Sequence, residues 1–377
     1  MRYVQVNTFP NGSTGAVMRR VAEERRAAGD DCWETWGRGR AAENDRELNF
    51  GSKAGVYIDA LLTRLDDRAG FHSRAATRRL LAKLDEIDPD VVHLHNLHGY
   101  YVNVEMLFGW LASHRCQVRW TLHDCWAFTG HCAHFTYVGC DRWREGCHDC
   151  PQKGVYPASY LLDSSARNWK DKRRIFTSIP HERMMLVTPS RWLEEMAGQS
   201  FLKGYSVEVR HNTVDASIFR PAPSDFRECH GIGDRFMVLG VASPWTERKG
   251  LADFTRLAGE LDHERFAIVL VGLSERQIKE LPQGVIGLTR TDSPRELAEI
   301  YTAADVFFNP TREDNYPTVN LEAQACGTPV VTYDVGGCAE TLSLGASRAV
   351  DPSEGHHALL EAVGEMELSD GVAQGQR

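Results

Sequence analysis

Short apolar runs alternate with longer amphipathic stretches along most of the chain. In the first half, runs rich in β-branched or aromatic residues occur at 3–6, 91–94, 118–122 and 184–188, and another strand is expected near 31–35. Such runs, bounded by turn residues, are typical of buried parallel strands. A glycine-containing turn precedes a stretch with helical spacing that ends at Gly29, and a further helix is expected from Arg191.

The same alternation restarts after a proline-rich segment. A fresh strand begins at Phe236, and the segments MVLGVAS, AIVLVGL, VFFNP and PVVTYD read as strands separated by helical patterns. We therefore predict an α/β protein built from two Rossmann-like, doubly wound domains. The predicted boundary lies near 221–224, which gives domains at 1–222 and 223–377. The second domain has a short C-terminal end after Asp351.

Length and charge restrict the class of protein. A chain of 377 residues exceeds the size at which one hydrophobic core usually stops growing, which agrees with two domains. A formal net charge of -9 argues against a nucleic-acid partner, because phosphate neutralisation needs an excess of Lys and Arg. No apolar run approaches the ~20 residues that span a bilayer. The N-terminal residues are too polar for a secretory signal, so we expect a cytoplasmic location.

The segment 304–340 contains a predicted strand, an acidic loop and a predicted helix start. Glu313 and Asp314 follow a predicted strand, Pro317 is placed to open a helix, and Glu322 lies inside that helix. Open α/β sheets bind ligands at the carboxyl ends of their strands. We therefore expect the loop acids and Glu322 to border one binding site.

This segment resembles the donor-binding signature of retaining glycosyltransferases of family 4, which have the GT-B fold. The family pattern is an acid, seven intervening residues and Glu; Asp314 and Glu322 fit that count, and Glu313 is one residue early. The text TREDNYPTVNLEA is similar to an exopolysaccharide branch, and a His-Asp-Cys-Trp stretch with a cysteine-rich insertion accompanies it. The resemblance implies two domains facing a central cleft. It also implies retaining transfer of a hexosyl unit from a nucleotide-diphosphate sugar to a glycan or lipid-linked saccharide, in surface polysaccharide biosynthesis, without a catalytic cofactor.

The resemblance also implies roles for individual residues. Lys249, before Gly250, would hold the donor diphosphate, and Arg248 would supply a second cation because Pro244 stands where the family has arginine. Glu322 would bind the ribose, and either Glu313 or Asp314 would hold the hexose. The remaining implied positions are catalytic His123, donor-binding Asn315 and Asn320, and the backbone of Gly336 and Gly337.

Two features of the first half are candidate sites with plain structural alternatives. The loop Gly12, Ser13, Thr14 and Gly15 joins a strand to a helix, where backbone N–H groups suit a phosphate or an acceptor, although such glycines often only make the turn. The histidines of HLHNLHGYY form a polar tip after a strand. His93 and His95 share one face of that strand, as a metal pair or, in the plainer interpretation, as hydrogen-bonded scaffolding.

A cysteine cluster marks the predicted insertion at about 125–157. Ten cysteines in a cytosolic chain argue against structural disulfides. Cys147 and Cys150 form a Cys-x-x-Cys pair, and Cys132 and Cys140 complete a four-thiolate set for structural zinc. The equal alternative is reduced or reversibly bridged thiols.

Two alternatives to a transferase come from other classes of protein. A catalytically degenerate GT-B protein would bind nucleotide sugars or carbohydrate without transferring them. A zinc hydrolase would use the histidines and cysteines as an open metal site. Peripheral membrane contact is a separate expectation, since 165–176 places Trp169 among Lys170, Lys172, Arg173 and Arg174, either as an interfacial patch or as a solvated helix face.

Overall fold

The computed structural model describes residues 1–355, 357 and 360–364. Most of the predicted short C-terminal end therefore lies outside the described residues. The chain divides into two compact units, Met1–His211 and a second that begins at Asn212. The segment 221–224, where the boundary was predicted, lies in the second unit. Ala222 N donates there to Thr302 Oγ1 at 3.3 Å, and Phe226 packs in that unit's core.

The first unit contains a parallel sheet of seven strands. Their order across the sheet is β3-β2-β1-β4-β5-β6-β7. The strands are β1 (Arg2–Asn7), β2 (Asp31–Trp36), β3 (Glu47–Asn49), β4 (Val91–Leu94), β5 (Gln117–Thr121), β6 (Met184–Thr188) and β7 (Ser206–Val209). The helices are α1 (Gly12–Ala27), α2 (Lys53–Asp66), α3 (Arg74–Ile87), α4 (Val104–Ser113), α5 (Ser165–Phe176) and α6 (Arg191–Gly198), with 3₁₀ turns at Trp126–Phe128, Arg142–Arg144 and His181–Arg183.

The second unit contains a parallel sheet of six described strands. Their order is β10-β9-β8-β11-β12-β13. The strands are β8 (Phe236–Val241), β9 (Phe266–Val271), β10 (Val285–Leu288), β11 (Val306–Asn309), β12 (Val330–Tyr333) and β13 (Arg348–Val350). The described helices are α7 (Phe226–Cys229), α8 (Leu251–Glu260), α9 (Glu275–Lys279), α10 (Pro294–Ala303) and α11 (Thr318–Ala325), with 3₁₀ turns at Glu247–Lys249 and Ala339–Thr341.

Local sequence explains why these elements form where they do. All six residues of β9 are buried, as expected for a central strand covered on both faces. Ser190 accepts a hydrogen bond from Leu193 N and begins α6, while Ser293 caps α10 with Pro294 in its first turn. The predicted α/β class with two doubly wound sheets is confirmed.

Each sheet has one point at which the strand order reverses. In the first unit this point lies between β1 and β4, and in the second between β8 and β11. Helices on either side of such a point diverge and leave a crevice at the carboxyl ends of the two strands. The loops after these four strands are therefore where the fold favours ligand binding in each unit.

Helix α5 differs from its predicted role as a surface patch. Trp169 is buried, and its Nε1 donates to the Trp143 carbonyl at 2.8 Å. Lys172 is also buried, and its Nζ donates to the carbonyls of Trp126 at 2.8 Å and Thr129 at 3.1 Å. Both interpretations of these two side chains were wrong, because the helix faces inward at positions 169 and 172. Among the described residues, no helix is both long enough and apolar enough to cross a membrane.

Replacing Lys172 by alanine is expected to destabilise the first unit. The substitution removes the Nζ group, which donates to two carbonyls and lies 3.4 Å from the Trp126 ring centre. We expect a loss of about 2–4 kcal/mol in unfolding free energy, measured by denaturant unfolding. Lys170→Ala on the exposed side of α5 is the matched control, with an expected change within about 0.5 kcal/mol. Equal effects of the two substitutions would contradict the anchoring role.

Candidate functional site

Two cations and two acids meet at the point of strand reversal in the second unit. Lys249, which follows β8, donates from Nζ to Asp314 Oδ2 at 2.7 Å. Arg248 donates from Nη1 to the Glu313 carbonyl at 2.7 Å, and its Nε lies 4.0 Å from Glu313 Oε1. The Glu313 side chain is buried, whereas those of Lys249 and Asp314 are about one-fifth exposed. Arg248 is about one-third exposed, so three of these four side chains, Arg248, Lys249 and Asp314, combine charge with access.

Two glycines allow the loops of this site to approach one another. Gly250 has φ +77° and begins α8, and a Cβ there would lie 2.4 Å from the Pro310 carbonyl oxygen. Gly336 has φ +58°, and a Cβ there would lie 1.9 Å from the Asp314 carbonyl oxygen. Gly337 N donates to that same carbonyl at 3.3 Å. The loop after β12 thus closes on the acidic loop only because position 336 lacks a side chain.

The sequence analysis missed the ion pair that braces the acidic loop. Arg312 Nη2 lies 2.8 Å from both carboxylate oxygens of Asp253, which is buried in the first turn of α8. The Arg312 guanidinium also lies 4.8 Å from the centre of the Tyr333 ring. This contact links the start of α8 to the loop after β11. The sequence signal for this ion pair was an acid in a first helical turn, and such an acid does not identify the cation that pairs with it.

Glu322 lies on α11 and contacts the neighbouring helix α10. Its Oε2 accepts a hydrogen bond of 3.3 Å from the Tyr301 hydroxyl on α10. Burial raises the pKa of Glu322 to about 7. The carboxyl group is therefore close to half protonated at neutral pH, which is unusual for a glutamate.

The two predicted donor-binding asparagines are both buried. Asn320 accepts from Asn309 Nδ2 at 2.9 Å and donates to Thr341 Oγ1 at 2.9 Å. This arrangement favours a supporting role for Asn320, joining the end of β11 to the turn at Ala339–Thr341. Asn315 lies beside Asp314 in the acidic loop and is 3% exposed.

In the first unit, the predicted glycine loop becomes the first turn of α1. Gly12 and Ser13 are exposed, Thr14 is half-buried and Gly15 is buried. A Cβ at Gly15 would lie 2.6 Å from the Pro10 carbonyl carbon, so this glycine is needed for the turn itself. The exposed first turn still presents backbone N–H groups at the end of β1.

Three histidine rings stack where β4 and β5 end in the first unit. His93 lies in β4, and His95 and His123 follow β4 and β5. The rings of His93 and His95 stack with centres 4.3 Å apart, and those of His95 and His123 with centres 5.6 Å apart. His93 contacts the Tyr3 hydroxyl at 2.8 Å and the Thr121 hydroxyl at 2.7 Å. These bonds favour the scaffolding interpretation of His93 and His95 over the metal pair.

Gln5, which the sequence analysis did not single out, sets the proton positions in this stack. Its Nε2 donates to the Met18 carbonyl at 2.9 Å, which can only accept, so its Oε1 faces His95. His95 Nε2 therefore donates to Gln5 Oε1 at 2.9 Å, and the neutral ring accepts at Nδ1. His123 Nε2 lies 3.3 Å from that Nδ1 and donates to it. This series of hydrogen bonds places the single ring N–H proton of neutral His123 on Nε2.

Burial keeps all three histidines neutral. Burial lowers the pKa of His123 to about 4 and the pKa values of His93 and His95 well below the usual value. The neighbouring Asp124 carboxylate accepts from His98 Nε2 at 2.6 Å and from Trp126 N at 2.9 Å. His98 Nδ1 lies 3.0 Å from the Tyr156 hydroxyl, which ties this site to the cysteine-rich segment.

The four cysteines predicted to bind zinc lie in one region of the first unit. Cys132 is buried, and Cys140, Cys147 and Cys150 are half-buried. A hydrogen bond from the Cys132 thiol lowers the pKa of Cys150 to about 7, and Gly130 N donates to Cys147 Sγ at 3.1 Å. Within the part of the chain that the structure describes, no group of three or more His, Cys, Asp or Glu side chains is arranged to hold a metal ion. Structural zinc stays a prediction.

The two sheets and the loops at their reversal points define a class of protein, the GT-B fold. Solved structures support this assignment, which rests on shape because sequence identity is low. Sucrose-phosphate synthase from Thermosynechococcus elongatus has a TM-score of 0.68 at 15% identity, covering 97% of this chain and 90% of that one. Anabaena Alr3699/HepE, solved in complex with UDP-glucose, has a TM-score of 0.62 at 14% identity, covering 99% and 91%.

Sequence comparison gives the family. A model described as "Glycosyl transferases group 1" matches residues 235–367. A D-inositol 3-phosphate glycosyltransferase of Corynebacterium urealyticum is 40% identical over 329 residues, covering 80% of this chain and 72% of the relative. The chain therefore belongs to the group 1 glycosyltransferase family.

This chain covers a smaller share of two other relatives. A protein of Escherichia coli (strain K12), named as a glycosyl transferase of colanic acid biosynthesis, is 23% identical over 284 residues, covering 71% of this chain. The chain spans 65% of that protein's length and 40% of the length of a D-inositol 3-phosphate glycosyltransferase from Catenulispora acidiphila.

The stability of the first unit is expected to fall as the pH is lowered from about 6.5 towards 4. The folded pKa values of the three stacked histidines lie below the unfolded value, so the unfolded chain binds more protons in this window. Each such histidine contributes a slope of about 1.4 kcal/mol per pH unit. Tryptophan fluorescence can follow the unfolding, since eight of the nine tryptophans lie before residue 212.

Substitution of one histidine checks the cause of this pH dependence. His93→Gln should flatten the slope, whereas His148→Gln, at an exposed position in the same unit, should leave it unchanged. An unchanged slope in His93→Gln would show that other groups cause the acid sensitivity.

Proposed function

We propose that this chain is a retaining glycosyltransferase that moves a hexosyl unit from a nucleotide-diphosphate sugar to a glycan or lipid-linked saccharide. The proposed biological setting is surface polysaccharide biosynthesis at the cytoplasmic side of the membrane. No cofactor is assigned to the reaction. The observation that carries the proposal is the cluster of Arg248, Lys249, Glu313 and Asp314 at the reversal point of the second sheet.

The chemistry of this cluster suits a diphosphate. Arg248 and Lys249 lie in the turn immediately before α8, whose first backbone N–H groups favour an anion. Lys249 has three N–H donors, and the single contact with Asp314 Oδ2 orients the ammonium group without using all of them. A diphosphate can therefore take the remaining donors.

The proposed transfer step forms one bond and breaks one bond at the anomeric carbon. The acceptor hydroxyl oxygen attacks this carbon while the carbon–oxygen bond to the diphosphate breaks, and the acceptor proton moves to the departing phosphate oxygen on the same face. No side-chain nucleophile is assigned. Lys249 and Arg248 would stabilise the negative charge that develops on the diphosphate.

The sugar-binding roles follow the family resemblance. Glu313 or Asp314 would hold the hexose, and Glu322 would accept hydrogen bonds from the ribose hydroxyls. His123 is assigned to the hexose near the reacting carbon. The neutral ring that burial imposes on His123 suits a hydrogen-bonding role and argues against a general acid at neutral pH.

The names of similar proteins suggest which ligands to test first. The Anabaena structure contains UDP-glucose, so UDP sugars are the first donors to examine. Relatives are named for colanic acid biosynthesis and for D-inositol 3-phosphate, and another solved neighbour, WaaG, for lipopolysaccharide biosynthesis. These names support a saccharide or a phosphorylated polyol as acceptor.

Substitution of Lys249 is expected to abolish most donor turnover. Calorimetry with UDP, GDP and ADP sugars should show saturable binding of the sugar nucleotides of one base. Lys249→Ala should lower the rate of nucleoside diphosphate release on the order of a hundredfold. Lys279→Ala is the matched control, because Lys279 is exposed in the same unit. Both variants should keep the wild-type melting temperature.

Two outcomes would count against the proposal. Saturable donor binding without any release of nucleoside diphosphate would favour the degenerate binding protein, in which Pro244 in place of the family arginine has removed catalysis. Normal turnover in Lys249→Ala would remove the assignment of the site.

Donor binding is expected to tighten as the pH rises through about 7. The ionised form of Glu322 is the better acceptor for two ribose hydroxyls, and its pKa of about 7 means that this form becomes dominant only above neutrality. Calorimetric titrations between pH 6 and pH 8 would measure the change. Glu322→Gln should bind more weakly and lose the pH dependence, and an unchanged dependence in this variant would assign the titration to another group.

A further inference from the structure

Helix α2 turns its apolar side chains away from the protein. Five large apolar residues of this helix are between 38 and 75% exposed, namely Tyr57, Ile58, Leu61, Leu62 and Leu65. Their spacing puts them on one face of the helix. The buried residues of α2 are Asp59, Ala60 and Thr63, on the opposite face. The usual arrangement of a surface helix is therefore inverted.

Hydrogen bonds hold the polar face of α2 inward. Buried Asp59 accepts from Thr63 Oγ1 at 3.2 Å and from the Ser73 hydroxyl before α3. Rotating the helix to bury its leucines would remove these bonds, which burial makes costly to lose. The outward apolar stripe is thus a fixed property of the folded unit.

A neighbouring segment extends the apolar surface. Tyr160 N donates to the Arg64 carbonyl at 2.8 Å, and Leu162 N donates to the Leu65 carbonyl at 3.1 Å, both at the end of α2. Tyr160, Leu161 and Leu162 are each more than half exposed. We call these three residues and the five exposed residues of α2 the apolar face. An apolar patch of this extent marks an interaction site in a folded protein.

The exposed charges around the apolar face are mainly basic, with Asp163 as an exposed acid at its edge. Every exposed charged residue between positions 52 and 79 is basic: Lys53, Arg64, Arg74, Arg78 and Arg79. Of the acids in this stretch, Asp59 and Asp67 are buried, and Asp66 is half-buried and contacts His72 at 3.2 Å. Asp163, at the edge of the face, accepts from Cys150 N and Ser165 N. This local excess of cations contrasts with a net charge of -9 for the chain.

We propose that the apolar face and its basic rim dock on the surface of an anionic lipid bilayer. The leucines, Ile58 and the two tyrosines would enter the boundary between headgroups and acyl chains, while the cations contact lipid phosphates. A second copy of this chain is a poorer occupant, because a two-fold contact would bring like-charged rims together. This proposal concerns membrane binding and goes beyond transfer activity. Because vesicle binding is measured without donor or acceptor, the docking proposal and the proposed transferase function can fail independently.

Co-sedimentation with lipid vesicles tests the proposal. The full chain should bind vesicles that contain phosphatidylglycerol saturably and bind phosphatidylcholine vesicles much more weakly. Leu61→Glu should lower the partition coefficient by about tenfold or more, since it places an acid within the inserted surface. Val138→Glu is the matched control, because Val138 is 42% exposed in the same unit and lies outside the apolar face.

A second substitution examines the rim separately. Arg64→Gln should reduce binding to anionic vesicles and weaken its dependence on salt, with little effect on the residual binding to phosphatidylcholine. Circular dichroism and melting temperature would establish that each variant is folded. Both sites are exposed, so the fold should be retained.

Several results would overturn the proposal. They are the absence of wild-type binding to anionic vesicles, equal binding by Leu61→Glu and wild type, and equal loss of binding in Val138→Glu. Light scattering that shows a dimer abolished by Leu61→Glu, together with no vesicle binding, would assign the face to self-association instead.

Discussion

One backbone hydrogen bond connects the two loops on which the candidate donor site depends. Arg312 N donates to the Arg248 carbonyl at 2.8 Å, joining the loop after β11 to the turn after β8. These strands are neighbours in the sheet, yet their connections run in opposite directions, so the two loops meet at the point of reversal. Arg248, Lys249, Glu313 and Asp314 are brought together because this bond keeps the loops adjacent.

Two further features hold these loops close together: a glycine that leaves room for a neighbouring loop and an ion pair. Gly336 lets the loop after β12 approach the Asp314 carbonyl, and Arg312 reaches across to the buried carboxylate of Asp253. The cations before α8 are thus held by acids and by backbone carbonyls instead of extending into solvent. A preorganised set of donors stabilises charge in a bound diphosphate at a lower cost than flexible lysines would.

In the first unit, buried polar groups fix the protonation of a histidine stack. Gln5, anchored to the Met18 carbonyl, fixes the tautomer of His95 and through it that of His123. The resulting neutral stack lies at the carboxyl ends of β4 and β5. The first unit also exposes an apolar surface on α2 that hydrogen bonds of Asp59 prevent from turning inward. The histidine tautomers thus depend on buried Gln5, and the orientation of α2 depends on buried Asp59.

Much of the fold could be predicted from the sequence. The central strands are continuous apolar runs, so β4 and β6 were predicted with their observed bounds, and α6 begins at Arg191 as predicted. The edge strands of both sheets were missed, because their residues are only partly buried or exposed; these strands are β3, β7, β10 and β13. Trp169 and Lys172 were misplaced for a related reason, since a helix rich in charge reads as a surface helix.

By itself, the sequence determined the strand-helix alternation, the two sheets and the spacing of Lys249, Asp314 and Glu322, because these are local patterns or short intervals along the chain. Only the tertiary structure decided which residues meet. The Arg312–Asp253 pair, the Gln5–His95–His123 chain and the outward face of α2 join residues whose partners no local periodicity identifies. Burial and hydrogen-bond partners are set by packing, and packing exists only once distant segments have folded against one another.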